Sequence, residues 1–195
     1  GKDLYVADKV RILKVMPDGK WQVFVAVDAF PVTPQFLNDL ESDGQGNLYV
    51  SDSGDLKKGG AIYRISKVGK VTLITDGKKD GRVLAPNGLL MDGSGKLLEV
   101  DFSSGILYRL NIASGEMTQV AEGFGGGDGI VRARNGLLYV SDWNNGKVFS
   151  VTKDGKVRVI KEGFKSAADI ALSTDGEYLL VPDMNAGELV MLSLR

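Results

Sequence analysis

The pentapeptide Leu-Tyr-Val-Ser-Asp stands at residues 48–52 and again at 138–142, with close variants at 4–8, 97–101 and 179–183. The closing residues Asp8, Asp52, Asp101, Asp142 and Asp183 are 44, 49, 41 and 41 residues apart. The fullest copy, Asn135 to Val151, reads as a hairpin: a short run of strand formers to Ser141, turn chemistry from Asp142 to Gly146, and a second strand-like run from Lys147. A repeat of this length filled with strands and tight turns is the period of a propeller blade.

Reading the apolar runs between turn signals gives 18 strands in five units of three, four, four, four and three. The fold expected is all-β: a β-propeller of four-stranded blades, six-bladed with about five blades represented, as one domain over residues 1–195. No helix longer than about three turns is expected. The first unit opens on a second strand and the last ends on a third, so closing a six-bladed ring needs six more strands. These correspond to roughly 60–75 residues. The ring is therefore expected to be N-terminally incomplete, with its gap filled by an N-terminal segment or a neighbouring chain, because open strand edges and apolar blade faces are liabilities in water.

The chain has 24 basic and 25 acidic side chains, a net charge of −1, so no general field favours nucleic acid or a membrane surface, and neither is expected as a partner. No apolar run approaches the roughly 18 residues of a membrane span. The sequence contains neither cysteine nor histidine. This excludes Ser-His-Asp and Cys-His machinery and thiolate or imidazole metal sites within these residues; a metal site here would be built from oxygens. The lack of cysteine suits either redox environment and leaves the compartment open.

Loop lengths give the expected propeller two unequal rims. The turns inside the hairpins are short and glycine-rich, whereas every long segment (27–37, 52–60, 76–86 and 122–127) falls on the opposite rim, which is expected to be the binding face. Each inner strand begins on that rim beside the central axis. Asn38, Asn87 and Asp128 occupy matching positions there, each 14 residues before its box aspartate. In the last unit the equivalent is Ala168 or Asp169, depending on whether the Thr174–Glu177 turn carries an extra residue. Two amides and a carboxylate converging on one axis form a hard-oxygen set of the kind that holds calcium or magnesium, although Asn-Gly and Asp-Gly are also ordinary turn pairs.

Other motifs read more plainly. The box aspartates are expected to hydrogen-bond turn backbone. Trp21 and Trp143 could stack on a sugar, but packing between blades is the simpler role. The pairs Lys57-Lys58 and Lys78-Lys79 read as solvated loop tips, and Gly123 to Gly127 lacks the ending of a phosphate loop.

The segments Asn38-Asp39, Pro86-Asn87-Gly88-Leu89 and Asp128-Gly129, each followed by its strand box, resemble the gluconolactonase and senescence-marker-protein (regucalcin) group of six-bladed propellers over nearly the whole chain. The resemblance implies that Asn38 contacts substrate, that Asn87 and Asp128 ligate a metal, and that Asp128 doubles as the candidate general base. It further implies a small-molecule substrate, hydrolysis of a lactone or similar small ester, and a divalent cofactor, calcium first, with magnesium or zinc as alternatives. The family's first-blade Glu ligand has no counterpart here. NHL-repeat and strictosidine-synthase-like propellers share the strand boxes without that chemistry. The alternatives are therefore a non-catalytic propeller binding a protein or carbohydrate on its long-loop face, or an enzyme-like domain that has lost its site.

Overall fold

The computed structural model describes residues 3–195; Gly1 and Lys2, with which the expected domain begins, lie outside the described residues. The first sheet holds β1 (Leu4–Asp8), β2 (Arg11–Val15) and β3 (Trp21–Val25), and the second β4 (Leu37–Ser42), β5 (Leu48–Asp52), β6 (Ala61–Ile65) and β7 (Val71–Asp76). The third contains β8 (Pro86–Met91), β9 (Lys96–Asp101), β10 (Ile106–Asn111) and β11 (Met117–Glu122). The fourth contains β12 (Gly127–Arg132), β13 (Leu138–Asp142), β14 (Lys147–Val151) and β15 (Val157–Glu162). The last has β16 (Ala171–Leu172), β17 (Tyr178–Asp183) and β18 (Glu188–Ser193). Every pairing is antiparallel, and the helical content among the described residues is one 3-10 turn at Val27–Ala29. The protein is an all-β propeller of antiparallel blades.

Burial explains why the box opens on consecutive apolar residues instead of alternating. In β5 and β13 every residue is buried, because a second strand is covered on both faces by neighbouring sheets. The outer strand β15, at the periphery, is exposed at every residue. Between consecutive sheets lie separate apolar clusters: Ile12, Val50 and Tyr63 join the first and second, and Tyr49, Leu97 and Leu110 the second and third. Val100, Phe124 and Val140 join the third and fourth, and Val148, Leu179 and Val181 the fourth and last. Edge-to-face rings reinforce two of these seams, Phe30 on Tyr63 with centroids 5.1 Å apart and Phe124 on Phe149 at 5.4 Å.

Among the described residues, no strand of the last sheet pairs with the first. Tyr5 and Ala7 face the second sheet, so Leu4, Val6, Trp21 and Val23 lie on the other face of the first sheet, and all four are exposed. Among the described residues no blade packs on Trp21, which is 60% exposed. In the last sheet Leu189 and Met191 are exposed opposite the face that carries Leu179 and Val181. Two uncovered apolar sheet faces should make this 195-residue polypeptide, studied alone, associate with itself as concentration rises. Sedimentation velocity across a hundredfold concentration range tests this, and a concentration-independent monomer would refute it.

The inner strands β4, β8 and β12 each break register once. Leu37 pairs with Asp52 but Leu40 with Val50, and the same offset separates Pro86 from Leu89 and Gly127 from Ile130. Each break is a one-residue bulge, which turns two residues out of the ladder toward the axis: Asn38-Asp39, Asn87-Gly88 and Asp128-Gly129. In the last sheet Ala167 bridges Asp183, the counterpart of the Leu37–Asp52 pair, and the ladder resumes only at Ala171, so β16 is shorter than its sequence suggests. Leu172 pairs with Leu179 across six residues, where Arg132 pairs with Leu138 across five. The Thr174–Glu177 turn therefore carries the extra residue, which makes Ala168 the counterpart of Asn38, Asn87 and Asp128, and Asp169 the counterpart of Asp39.

Candidate functional site

The box aspartates fix where each bulge sits. Asp101 accepts hydrogen bonds from the Ser103 and Ser104 amides of its own turn, at 3.0 and 2.8 Å, and from the Leu84 and Ala85 amides of the segment entering β8, at 3.0 and 2.8 Å. Asp52 does the same for Gly54 and for Gln35 and Phe36, and Asp142 for Asn145 and Gly126. The turn-capping role expected from sequence is thus half of what these residues do. They also clamp the crossing from the previous blade, and a buried carboxylate accepting several amide bonds is held rigidly.

The bulges open onto a cavity of about 390 Å³ on the long-loop face. Asn38, Asn87, Asp128, Ala168 and Asp169 line it together with the apolar side chains of Phe36, Leu56, Phe102, Trp143 and Met184. Asn87 is buried, and its Nδ2 donates to Asp128 Oδ1 at 3.1 Å. Asn38 Nδ2 donates to Ser53 Oγ at 3.1 Å, which in turn donates to the Pro86 carbonyl at 2.8 Å. Asn38 is thereby linked through Ser53 to the residue preceding Asn87, and all three sequence candidates share one cavity.

Tight contact between inner strands enforces this convergence. A Cβ on Gly88 would lie 2.2 Å from the Asp128 carbonyl oxygen, and one on Gly129 would lie 2.4 Å from Asp169 Oδ1. Only glycine allows the bulges to approach so closely.

Two further carboxylates complete the site: Asp169, one of the two alternatives the sequence offers for the last unit, and Asp39, to which the sequence pattern assigns no role. Asp39 accepts hydrogen bonds from the Leu40 and Leu89 amides at 2.7 and 2.6 Å, crossing from the second sheet to the third. Burial, together with repulsion from Asp169, pushes its carboxyl up to about 7 despite those bonds. Burial and the field of Asp39 push Asp128 up to about 6, against the opposing pull of Asn87. Asp169 is raised to about 6 by burial of its carboxyl and by Asp128, but the residue is exposed and water screens its share of the repulsion.

Three carboxyls in one another's field disfavour full ionisation, so the site attracts either protons or a cation. Among the described residues no three acidic side chains converge tightly enough to ligate one ion between them. An ion at Asn87 and Asp128 would have one carboxylate and one amide oxygen from the protein, leaving positions for water and substrate; Asn87 would have to present Oδ1 in place of the Nδ2 it now offers Asp128. The donor set is oxygen-only, which fits calcium or magnesium better than zinc.

Known proteins share this architecture. The sequence is 32% identical over 105 residues to protein strictosidine synthase-like 3 of Arabidopsis thaliana, covering 53% of this chain and 25% of that protein. The fold superposes on a chain in a crystal structure of a nidogen/laminin complex with a TM-score of 0.77 at 17% identity, covering 93% of this chain and 70% of that one. It also superposes on a calcium-binding protein, regucalcin, from Agrobacterium tumefaciens with a TM-score of 0.73 at 21% identity, covering 92% of this chain and 64% of that one. The chain spans a quarter of that curated relative and about two thirds of those solved structures. Residues 1–181 match the family described as the SMP-30/Gluconolactonase/LRE-like region, and the chain belongs to that family.

Proposed function

We propose that this cavity hydrolyses a lactone or a similar small ester with the help of a divalent ion, calcium first, then magnesium or zinc. The observation that carries the reading is the contact of buried Asn87 with Asp128, whose carboxyl burial pushes up to about 6, inside a cavity with apolar walls. When bound, a divalent ion would polarise the ester carbonyl and acidify water at the site. Asn87 and Asp128 would hold it. Asp128, ionised above a pH of about 6, accepts the proton of the attacking water. Asn38 orients substrate oxygens, fixed in place by its bond to Ser53. The apolar walls exclude bulk water and strengthen each of these interactions. The likeness to a calcium-binding protein of Agrobacterium tumefaciens supports the choice of ion. We further propose that the uncovered faces of the first and last sheets are covered by a sixth blade from an N-terminal segment or a neighbouring chain.

Calcium titration by calorimetry tests the site. Asn87→Ala and Asp128→Ala are each expected to weaken binding at least tenfold, since an oxygen ligand to calcium is lost in each case. Unchanged binding by both variants would remove the hydrolase reading. The likeness to a chain crystallised in a nidogen/laminin complex supports, as the second reading, a non-catalytic module with a protein ligand on the long-loop face, which would be selected by ligand binding without lactone turnover.

A further inference from the structure

Resting on the hydrolase reading, we infer that the substrate is a neutral lactone or ester bearing an apolar substituent, not a polyhydroxylated one. Aligning the sheets on their box aspartates places Phe102, Trp143 and Met184 at one register position, directly after Asp101, Asp142 and Asp183. These three therefore stand side by side around the mouth, with the Phe102 and Trp143 ring centroids 6.4 Å apart. Phe36 and Leu56 continue the wall on the other side. Apart from the Trp143 indole N–H, the polar side chains of the cavity belong to the inner-strand bulges, and among the described residues no lysine or arginine lines it. A polyol would meet hydrogen-bond partners at one end and leave its other hydroxyls unpaired against aromatic and aliphatic carbon, whereas an alkyl or aryl group gains from the same wall. The carboxyls of Asp128 and Asp169 in the lining disfavour an anionic ligand.

Leu56 supplies independent support. It is a branched, non-glycine residue at φ +67°, in the left-handed region that such side chains rarely adopt. The turn holds it there through Leu56 N–H to the Ser53 carbonyl at 2.9 Å and Asp55 N–H to the Lys58 carbonyl at 3.1 Å. The conformation places an exposed apolar side chain on the cavity wall at a cost in strain that glycine would relieve.

The cavity volume of about 390 Å³ corresponds to roughly a dozen liquid waters, enough for a six-membered ring and a short chain. Affinity should rise by up to about fourfold for each methylene withdrawn from water.

Calorimetry with non-hydrolysing lactams tests this separately from turnover. Three probes share one ring: δ-valerolactam, its 6-hexyl derivative and the polyhydroxylated glucono-δ-lactam. The hexyl compound is expected to bind at least tenfold more tightly than either of the others. Met184→Ser and Leu56→Gly should each reduce that preference severalfold, and Leu56→Gly should do so without lowering the melting temperature, since it removes strain. Equal binding of the hexyl and parent lactams, tighter binding of the glucono-lactam, or an undiminished preference in both variants would overturn the inference. If the preference is found but lactones are not hydrolysed, the inference about ligand class stands and the hydrolase reading falls. Hydrolysis without the preference overturns the inference and leaves the hydrolase reading standing.

Discussion

Replacing Asp128 by asparagine is expected to lower lactone turnover by about 10²- to 10⁴-fold, the range that a positioned acid–base group supplies. The substitution keeps the volume and leaves an oxygen for Asn87 to bind, so the bulge geometry that depends on Gly88 lying against the Asp128 backbone is preserved. The ability to take up a proton is lost. In the unmodified chain, turnover should rise as Asp128 ionises and then level off, and because a bound cation favours the carboxylate, the midpoint at saturating calcium should lie below the ion-free value of about 6. Asp39 contributes to that elevation through its field, so Asp39→Asn should move the midpoint toward lower pH while Asp128→Asn abolishes the dependence. A pH–rate series on the three proteins, at saturating calcium, measures all of this. Retention of turnover by Asp128→Asn would show that the base lies elsewhere.

The repeat is legible in the sequence because the second strand of each four-stranded blade is buried on both faces and tolerates little change. Five boxes are therefore enough to count strands and to align Asn38, Asn87 and Asp128. The last unit is ambiguous because one inserted turn residue shifts the alignment, and only pairing with Leu179 and Asp183 decides between Ala168 and Asp169. The acidic pair was nonetheless legible in principle. The position after the aligned residue reads Asp39, Gly88, Gly129 and Asp169, glycine where the neighbouring bulge presses against it and aspartate in the other two. The mouth could likewise have been found by aligning Phe102, Trp143 and Met184 on the boxes. What no pattern reveals is distance: that Asp39 reaches the Leu89 amide of the next sheet, or that Asp128 feels Asp39, follows from the curvature of the ring. Trp21 shows the converse: an aromatic in a blade strand implies a neighbour, and on that face the described residues supply none.

One box departs from the others, and its consequence is measurable. Glu99 stands where the second, fourth and last sheets carry Val50, Val140 and Val181. Its pairing partners Leu89 and Tyr108 belong to the apolar seam between the second and third sheets, and Glu99 is 1% exposed there. Neither carboxyl oxygen has a hydrogen-bond partner among the described residues, and Thr75 Oγ1, on the strand paired with Ile62 of that seam, is likewise unpartnered. Desolvation, with a further contribution from Asp101, raises the Glu99 carboxyl well above the usual carboxylate range. Because the folded chain holds this proton more tightly than the unfolded chain, the associated stability is complete below about pH 4.3, the ordinary glutamate value. It then falls by about 1.4 kcal/mol for each further pH unit until the folded carboxyl itself ionises. Glu99→Met keeps most of the volume, removes the titration and adds apolar contact. At pH 8 it should stabilise the fold by at least about 2 kcal/mol, near the usual cost of a buried unpaired polar group, and the gain should shrink toward pH 4.5. Glu99→Gln, which keeps the shape and a polar end without the charge, should lose the same pH dependence. Urea unfolding between pH 4.5 and 8.5 measures the difference, and parallel curves for the unmodified chain and Glu99→Met would show that the carboxyl is satisfied by a bound water or ion in this seam.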